Sequence, residues 1–192
     1  VGSVCPIAGA AAIVNAKAIT PPRHVHPGTI SLPPSRVEAE RRRHARGRVV
    51  IVRYADDFVM GFEKRADAEE MLLALRARLA GFGLRLHEDK TRLIEFGRFA
   101  ALSRQRRGER RPETFAFLGF THYCGWTRDG RYIVKHKTQS NRLTRKLTAV
   151  RQEAWRLMHA PLAEQHRWYA SILRGHYGYF GMPHNWRSLD GF

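Results

Sequence analysis

The chain has 192 residues, 43% of them hydrophobic, with 34 Lys and Arg against 17 Asp and Glu, a formal net charge of +17. That is enough for a packed core in one domain or two small ones, and no apolar run is long enough to span a bilayer. The positive excess points to a polyanionic partner, nucleic acid before an anionic membrane surface. Cys5 and Cys124 are far apart and follow no metal spacing, so a reducing, cytoplasmic compartment is expected.

Residues 1–47 read as a basic, proline-containing leader, poorly ordered and unlike the rest of the chain. Residues 7–18 are small and apolar but lack the positive lead-in of a signal segment. Pro21-Pro22, Pro27-Gly28 and Pro33-Pro34 interrupt any helix or strand. His24 and His26 have no companion ligands and read as loop residues. Arg41, Arg42 and Arg43 lie in a short basic helix expected over 38–48, either a solvated face or a nucleic-acid arm. A first residue of Val rather than Met suggests a fragment or an alternative start.

The next stretch organises the chain. Val49-Val50-Ile51-Val52-Arg53-Tyr54 enters, Ala55-Asp56-Asp57 turns, and Phe58-Val59-Met60-Gly61-Phe62 leaves. The pattern predicts a β-hairpin with Asp56 and Asp57 at its tip, its apolar strands buried on both faces. A bare Asp-Asp pair is usually only a turn. Adjacent carboxylates on a buried scaffold, however, are costly unless neutralised. Hard Mg²⁺ suits carboxylate oxygens and keeps room for substrate phosphates, and a pair of such ions can clamp a phosphoryl transfer.

Asp67 is then expected to cap a helix whose core stripe is Ala68, Met71, Leu72, Leu75 and Leu79, stopped by Gly81 and Gly83. A short strand around Leu84-Arg85-Leu86 and another over 92–96 come next. Lys90 comes just after the turn between them, where an ammonium can reach a phosphate or simply face water. Residues 99–114, with Arg104, Arg106, Arg107, Arg110 and Arg111, read as a mobile basic loop. Phe115-Ala116-Phe117-Leu118-Gly119-Phe120 returns as strand and turn, and Asp129-Gly130 predicts a second hairpin tip. Two amphipathic helices close the chain. Leu143, Leu147, Val150, Ala154 and Leu157 form one stripe, with Arg142, Arg145 and Arg156 opposite. Past Pro161, Leu162, Tyr169, Ile172, Leu173 and Phe180 lie on one side, Arg167 and Arg174 on the other. The basic faces suit either a grip on a nucleic-acid backbone or plain solvation.

Tyr54-Ala55-Asp56-Asp57 between apolar strands resembles the reverse-transcriptase palm signature. Lys90-Thr91 comes in the order of that family's next block, and Phe117-Leu118-Gly119-Phe120 is similar to its primer-grip hairpin. Leu173-Arg174-Gly175-His176-Tyr177-Gly178-Tyr179-Phe180-Gly181 resembles the thumb of group II intron-encoded reverse transcriptases, which also serves as maturase. The resemblance covers about 48–192. It implies that Asp56 and Asp57 hold Mg²⁺, or Mn²⁺, and that Tyr54 and Lys90 lie by the incoming deoxynucleotide. Residues 117–120 would support the primer end. Arg142, Arg145, Arg167 and Arg174 would hold RNA or RNA–DNA hybrid, with intron RNA the expected partner. The family also places a metal-binding aspartate on an earlier strand. This chain has no Asp before Asp56; its upstream acids are Glu38 and Glu40.

The expected fold is α+β: a partial polymerase palm over 48–124, a small antiparallel sheet with a covering helix, then a helical thumb over 125–192. The resemblance leaves three functions open. The chain is an RNA-directed DNA polymerase fragment, a non-catalytic maturase-like RNA-binding module, or an inactive remnant.

Overall fold

The computed structural model describes residues 11–19, 45–55 and 57–192. Asp56, His24, His26, Glu38, Glu40 and the prolines of the leader lie outside these residues. Of the helix expected over 38–48, only 45–48 are described, and these bend into the first strand of the hairpin.

That hairpin forms as the apolar pattern requires. With β1 at Ala11–Ile19, the hairpin strands are β2 (Val49–Tyr54) and β3 (Asp57–Phe62). They pair antiparallel from Val49 opposite Phe62 to Tyr54 opposite Asp57. β1 lies on the other side of β3, also antiparallel, with Lys17 opposite Asp57 and Ala12 opposite Phe62. β4 (Arg85–Leu86) and β5 (Arg92–Phe96) both pair with β1 at different stretches of it, so the sheet runs β2-β3-β1-β4 with β5 also on β1.

Only half of the hairpin is buried on both faces. In β3 the side chains alternate between two cores, as the pleat demands. Met60 and Phe62 pack with Ala68, Met71, Leu79 and Leu86, while Val59 packs with Ile94 and Phe96 against Phe115, Phe117, Cys124 and Val134. β2 departs from the expectation. It is the sheet's edge strand, and Val52, Arg53 and Tyr54 are exposed. An edge strand has a neighbour on one side only, so its apolar sequence does not guarantee burial.

Helix α1 (Arg65–Ala80) covers the first core with Ala68, Met71 and Leu79, the stripe read from the sequence. Its start differs. Lys64 is the N-cap, and Asp67 lies inside the first turn, buried, accepting the backbone amides of Arg46 and Gly47. The helix ends in a left-handed glycine motif. Leu84 N–H donates to Leu79 O, Gly83 N–H donates to Ala80 O, and Gly83 takes φ 67°, which a Cβ would disfavour.

The expected mobile basic loop is instead an ordered connection. α2 (Ala100–Arg106) forms within it, and its arginines pair with acids that lie apart from them in the sequence pattern. Arg107 bonds Glu95 and Glu109, and Arg104 pairs with Glu109 at 2.6 Å and Glu113 at 3.3 Å. Burial alone would raise the Glu95 carboxyl. Hydrogen bonds from Arg107 and Ser103 and the charges of Arg107 and Arg104 outweigh it, holding Glu95 below the usual range.

A second sheet orders β6 (Phe115–Phe117), β7 (Phe120–Trp126) and β8 (Tyr132–Thr138). Asp129-Gly130 does form the tip between β7 and β8, with Gly130 at φ 73°. Then come α3 (Ser140–Arg156), α4 (Leu162–Phe180) and the short α5 (Trp186–Asp190). The α3 stripe is as expected: Leu143, Leu147, Val150, Ala154 and Leu157 are half-buried. The α4 stripe is not. Leu162, Tyr169 and Leu173 are exposed, and the inner face is Gln165, Trp168, Ile172 and His176. Gln165 turns inward because its amide donates to the carbonyls of Met158 and Ala160, closing the loop between the helices. Backbone contacts divide the chain into one unit of residues 1–117 with 123–134 and another of 118–122 with 135–192.

Candidate nucleotidyl-transfer site

The hairpin tip is a two-residue connection, Ala55-Asp56, closed by the Tyr54–Asp57 pair. Ala55 takes φ 52°, a left-handed conformation that a Cβ makes unfavourable. Arg53 Nε donates to the Ala55 carbonyl at 2.9 Å across this turn. Asp57 is half-buried and Tyr54 is 65% exposed.

Strand register brings Lys90 to the same end of the sheet. On one edge of β1, Lys17 is opposite Asp57. On its other edge, Ala18 is opposite Leu86 and Asn15 is opposite Arg92. The single 3₁₀ turn Glu88–Lys90 lies between those two pairings, level with residues 16–17. Lys90 is exposed there, one strand away from the hairpin. Neighbouring strands lie about 4.8 Å apart, so the two backbones are roughly 10 Å apart. Their separation in the sequence hides this closeness; β1 is what creates it.

The donor type at the tip fits a hard divalent cation, since Asp57 and its sequence neighbour Asp56 both offer carboxylate oxygens. β1 adds no third carboxylate. It contains neither Asp nor Glu, and Lys17 occupies the register position beside Asp57. Among the described residues no group of three or more His, Cys, Asp or Glu is placed to hold a metal ion.

Residues 117–120 form a second turn. Phe117 ends β6 in the first unit. Leu118 at φ 48° and Gly119 at φ 81° form a two-residue connection with both residues left-handed, the type I′ geometry that suits a hairpin. In the second unit, Tyr179 Oη donates to the Leu118 carbonyl at 2.9 Å, and Phe120 stacks on Tyr179 with ring centroids 6.0 Å apart. Gly119 is needed for its φ; a Cβ there would make only ordinary contacts, with Arg142 Nη1 at 3.4 Å and the Phe180 ring at 3.6 Å. Arg142 and Arg145 are exposed on α3, Arg167 and Arg174 on α4. At i, i+3 and i, i+7 each pair shares one helix face.

Two features escape a reading of the sequence. β1 is hidden because alanine is a poor strand former, although Val14-Asn15-Ala16-Lys17-Ala18 alternates apolar and polar residues. The second is a run of rings in the second unit. His136 packs on Phe120 and between His122 and His184, Phe120 packs on Phe180, and His176 stacks on Phe192 beside Phe180. Burial, then the neighbouring His184, pushes the His136 imidazole below its ordinary range; burial, then Lys146, does the same at His176.

None of the curated proteins compared with the chain matches it. No helix among the described residues is long and apolar enough to cross a membrane. The segment that holds the hairpin, the Lys90 turn and the 117–120 turn is, by contrast, recognisable as a unit: residues 34–122 match the family model described as reverse transcriptase (RNA-dependent DNA polymerase).

Proposed function

We propose that the chain is a piece of a group II intron-type reverse transcriptase, the second half of its palm followed by its thumb, which acts on RNA and RNA–DNA hybrid in the cytoplasm. The observation that carries this reading is the tight hairpin, with Asp57 in register with Tyr54 at its tip and the Lys90 turn at the same end of the sheet. In this reading Asp56 and Asp57 hold Mg²⁺, with Mn²⁺ as a substitute, which when bound neutralises charge on the transferring phosphoryl group. Lys90 meets the phosphates of the incoming deoxynucleotide, and Tyr54 lies against that nucleotide. The 117–120 turn supports the primer end, whose 3′-hydroxyl bonds to the α-phosphorus as the bond to pyrophosphate breaks. Arg142, Arg145, Arg167 and Arg174 hold backbone phosphates, with intron RNA the natural template or partner.

A second reading, a non-catalytic maturase-like RNA-binding module, is favoured by Lys17. The register position opposite Asp57 holds Lys17, and β1 contains no Asp or Glu to serve as a third carboxylate. Both readings give the same first outcome: the purified chain binds RNA and hybrid but extends a primer poorly. Losing one well-placed electrostatic contributor costs about 10²–10³ in rate. The test is primer extension on an RNA template with Mg²⁺ or Mn²⁺, beside an Asp56→Asn/Asp57→Asn control, with binding measured in parallel. Weak extension lost in the control supports the polymerase reading. Binding with no extension supports the module. Absence of binding to either nucleic acid at low salt overturns both.

A further inference from the structure

We infer that Arg53 is a positioning residue for Asp57, acting through the backbone of the turn that precedes it. This rests on the proposed role of Asp56 and Asp57. Ala55 is one of the described non-glycine residues with positive φ, at 52°. A residue with a Cβ holds that conformation only where its surroundings over-determine it. Here a specific partner is at hand. The Arg53 guanidinium reaches two residues forward along its own strand, and Nε donates to the Ala55 carbonyl at 2.9 Å. That carbonyl belongs to the residue that leaves β2, two positions before Asp57 opens β3. Arg53 itself is anchored on both sides: its own residue pairs with Phe58, and the next pair is Tyr54 with Asp57. The bond therefore ties β2 to the turn that precedes Asp57. Arg53 is exposed, so its replacement leaves both cores intact.

The experiment compares the full chain with Arg53→Ala, Arg53→Lys, Ala55→Gly and the double variant Arg53→Ala/Ala55→Gly. Hydrogen exchange is followed in peptides covering the hairpin. One lost hydrogen bond corresponds to about a two- to tenfold change in a local opening equilibrium. Arg53→Ala should speed exchange around residues 55–58 by that factor, and Arg53→Lys should do much the same, because an ammonium lacks the Nε–H of the planar fork. Glycine adopts positive φ without strain, so in the Ala55→Gly background the loss of Arg53 should have a smaller effect. A merely structural arginine would not show that dependence on residue 55. Mn²⁺ titration read by electron paramagnetic resonance gives the second readout, with Asp56→Asn/Asp57→Asn as control. Weaker Mn²⁺ binding in Arg53→Ala, restored in the double variant, supports the inference. Identical exchange in wild type and Arg53→Ala overturns it, even if Mn²⁺ binding depends on the aspartates. Mn²⁺ binding insensitive to Asp56→Asn/Asp57→Asn instead removes the role proposed for the aspartates, and the positioning role with it, whatever the exchange shows.

Discussion

Just ahead of β2, two successive backbone amides, those of Arg46 and Gly47, end on one carboxylate oxygen of Asp67 at 3.0 and 3.1 Å. The sequence suggests a helix cap at Asp67 because Asp commonly caps. The structure uses the same chemistry on a different segment: the carboxylate satisfies amides of the chain entering the sheet, from inside the first turn of α1. Removing it leaves two amides without their acceptor. Asp67→Ala should therefore destabilise the fold by about 1–3 kcal/mol, and Asp67→Asn by less, because it keeps an acceptor. Urea unfolding midpoints measure this. An unchanged midpoint for Asp67→Ala would mean that water serves those amides equally well.

At the scale of elements, the run of rings links β7, β8, α4 and the segment around α5 inside the second unit. His136 and His176 each have a buried Nε2 with no hydrogen-bond partner. Besides burial, the groups that shift them are His184 and Lys146, both basic. The sign depends on which state binds more protons. In the unfolded chain these histidines titrate near 6.5; in the folded chain they titrate lower. Above that value both states are neutral and stability is unaffected. As pH falls below it, the unfolded state takes up protons first, so stability is lost down through the lowered folded values. Thermal melting between pH 7.5 and 5 should show this loss. His176→Phe, which keeps a ring against Phe180 and Phe192, should flatten it. A slope equal to wild type would assign the acid sensitivity to other groups.

For the whole molecule the governing quantity is charge. A chain at +17 releases counterions as it neutralises phosphates, so affinity for RNA should fall by orders of magnitude between low and moderately high salt. Arg142, Arg145, Arg167 and Arg174 are exposed, whereas Arg104 and Arg107 are engaged by Glu95, Glu109 and Glu113. The helix arginines should then carry more of the salt dependence than those near α2. Replacing the four with Ala should reduce the slope of log affinity against log salt by up to about 4. Replacing Arg104 and Arg107 should chiefly loosen α2. A folded quadruple variant with an unchanged slope would place the nucleic acid on another face.

Local patterns sufficed for much of this protein. The hairpin at 49–62, the α1 and α3 stripes and the Asp129-Gly130 tip all depend on neighbours a few residues apart, and sequence records such neighbours directly. The candidate site is likewise a local pattern, two adjacent carboxylates inside an apolar run. Tertiary structure decided the rest, and each case turns on partners distant in the chain. β2 is half exposed because it lies at a sheet edge, which its apolar residues cannot announce. Arg104 and Arg107 are held in place because Glu95 and Glu113 meet them in space. Lys90 and Asp57 reach one end of a sheet only because β1 takes the place between β3 and the β4–β5 edge, with Lys17 in register with Asp57. Register is a relation between strands, fixed when their hydrogen bonds form, and no single strand's residues state it.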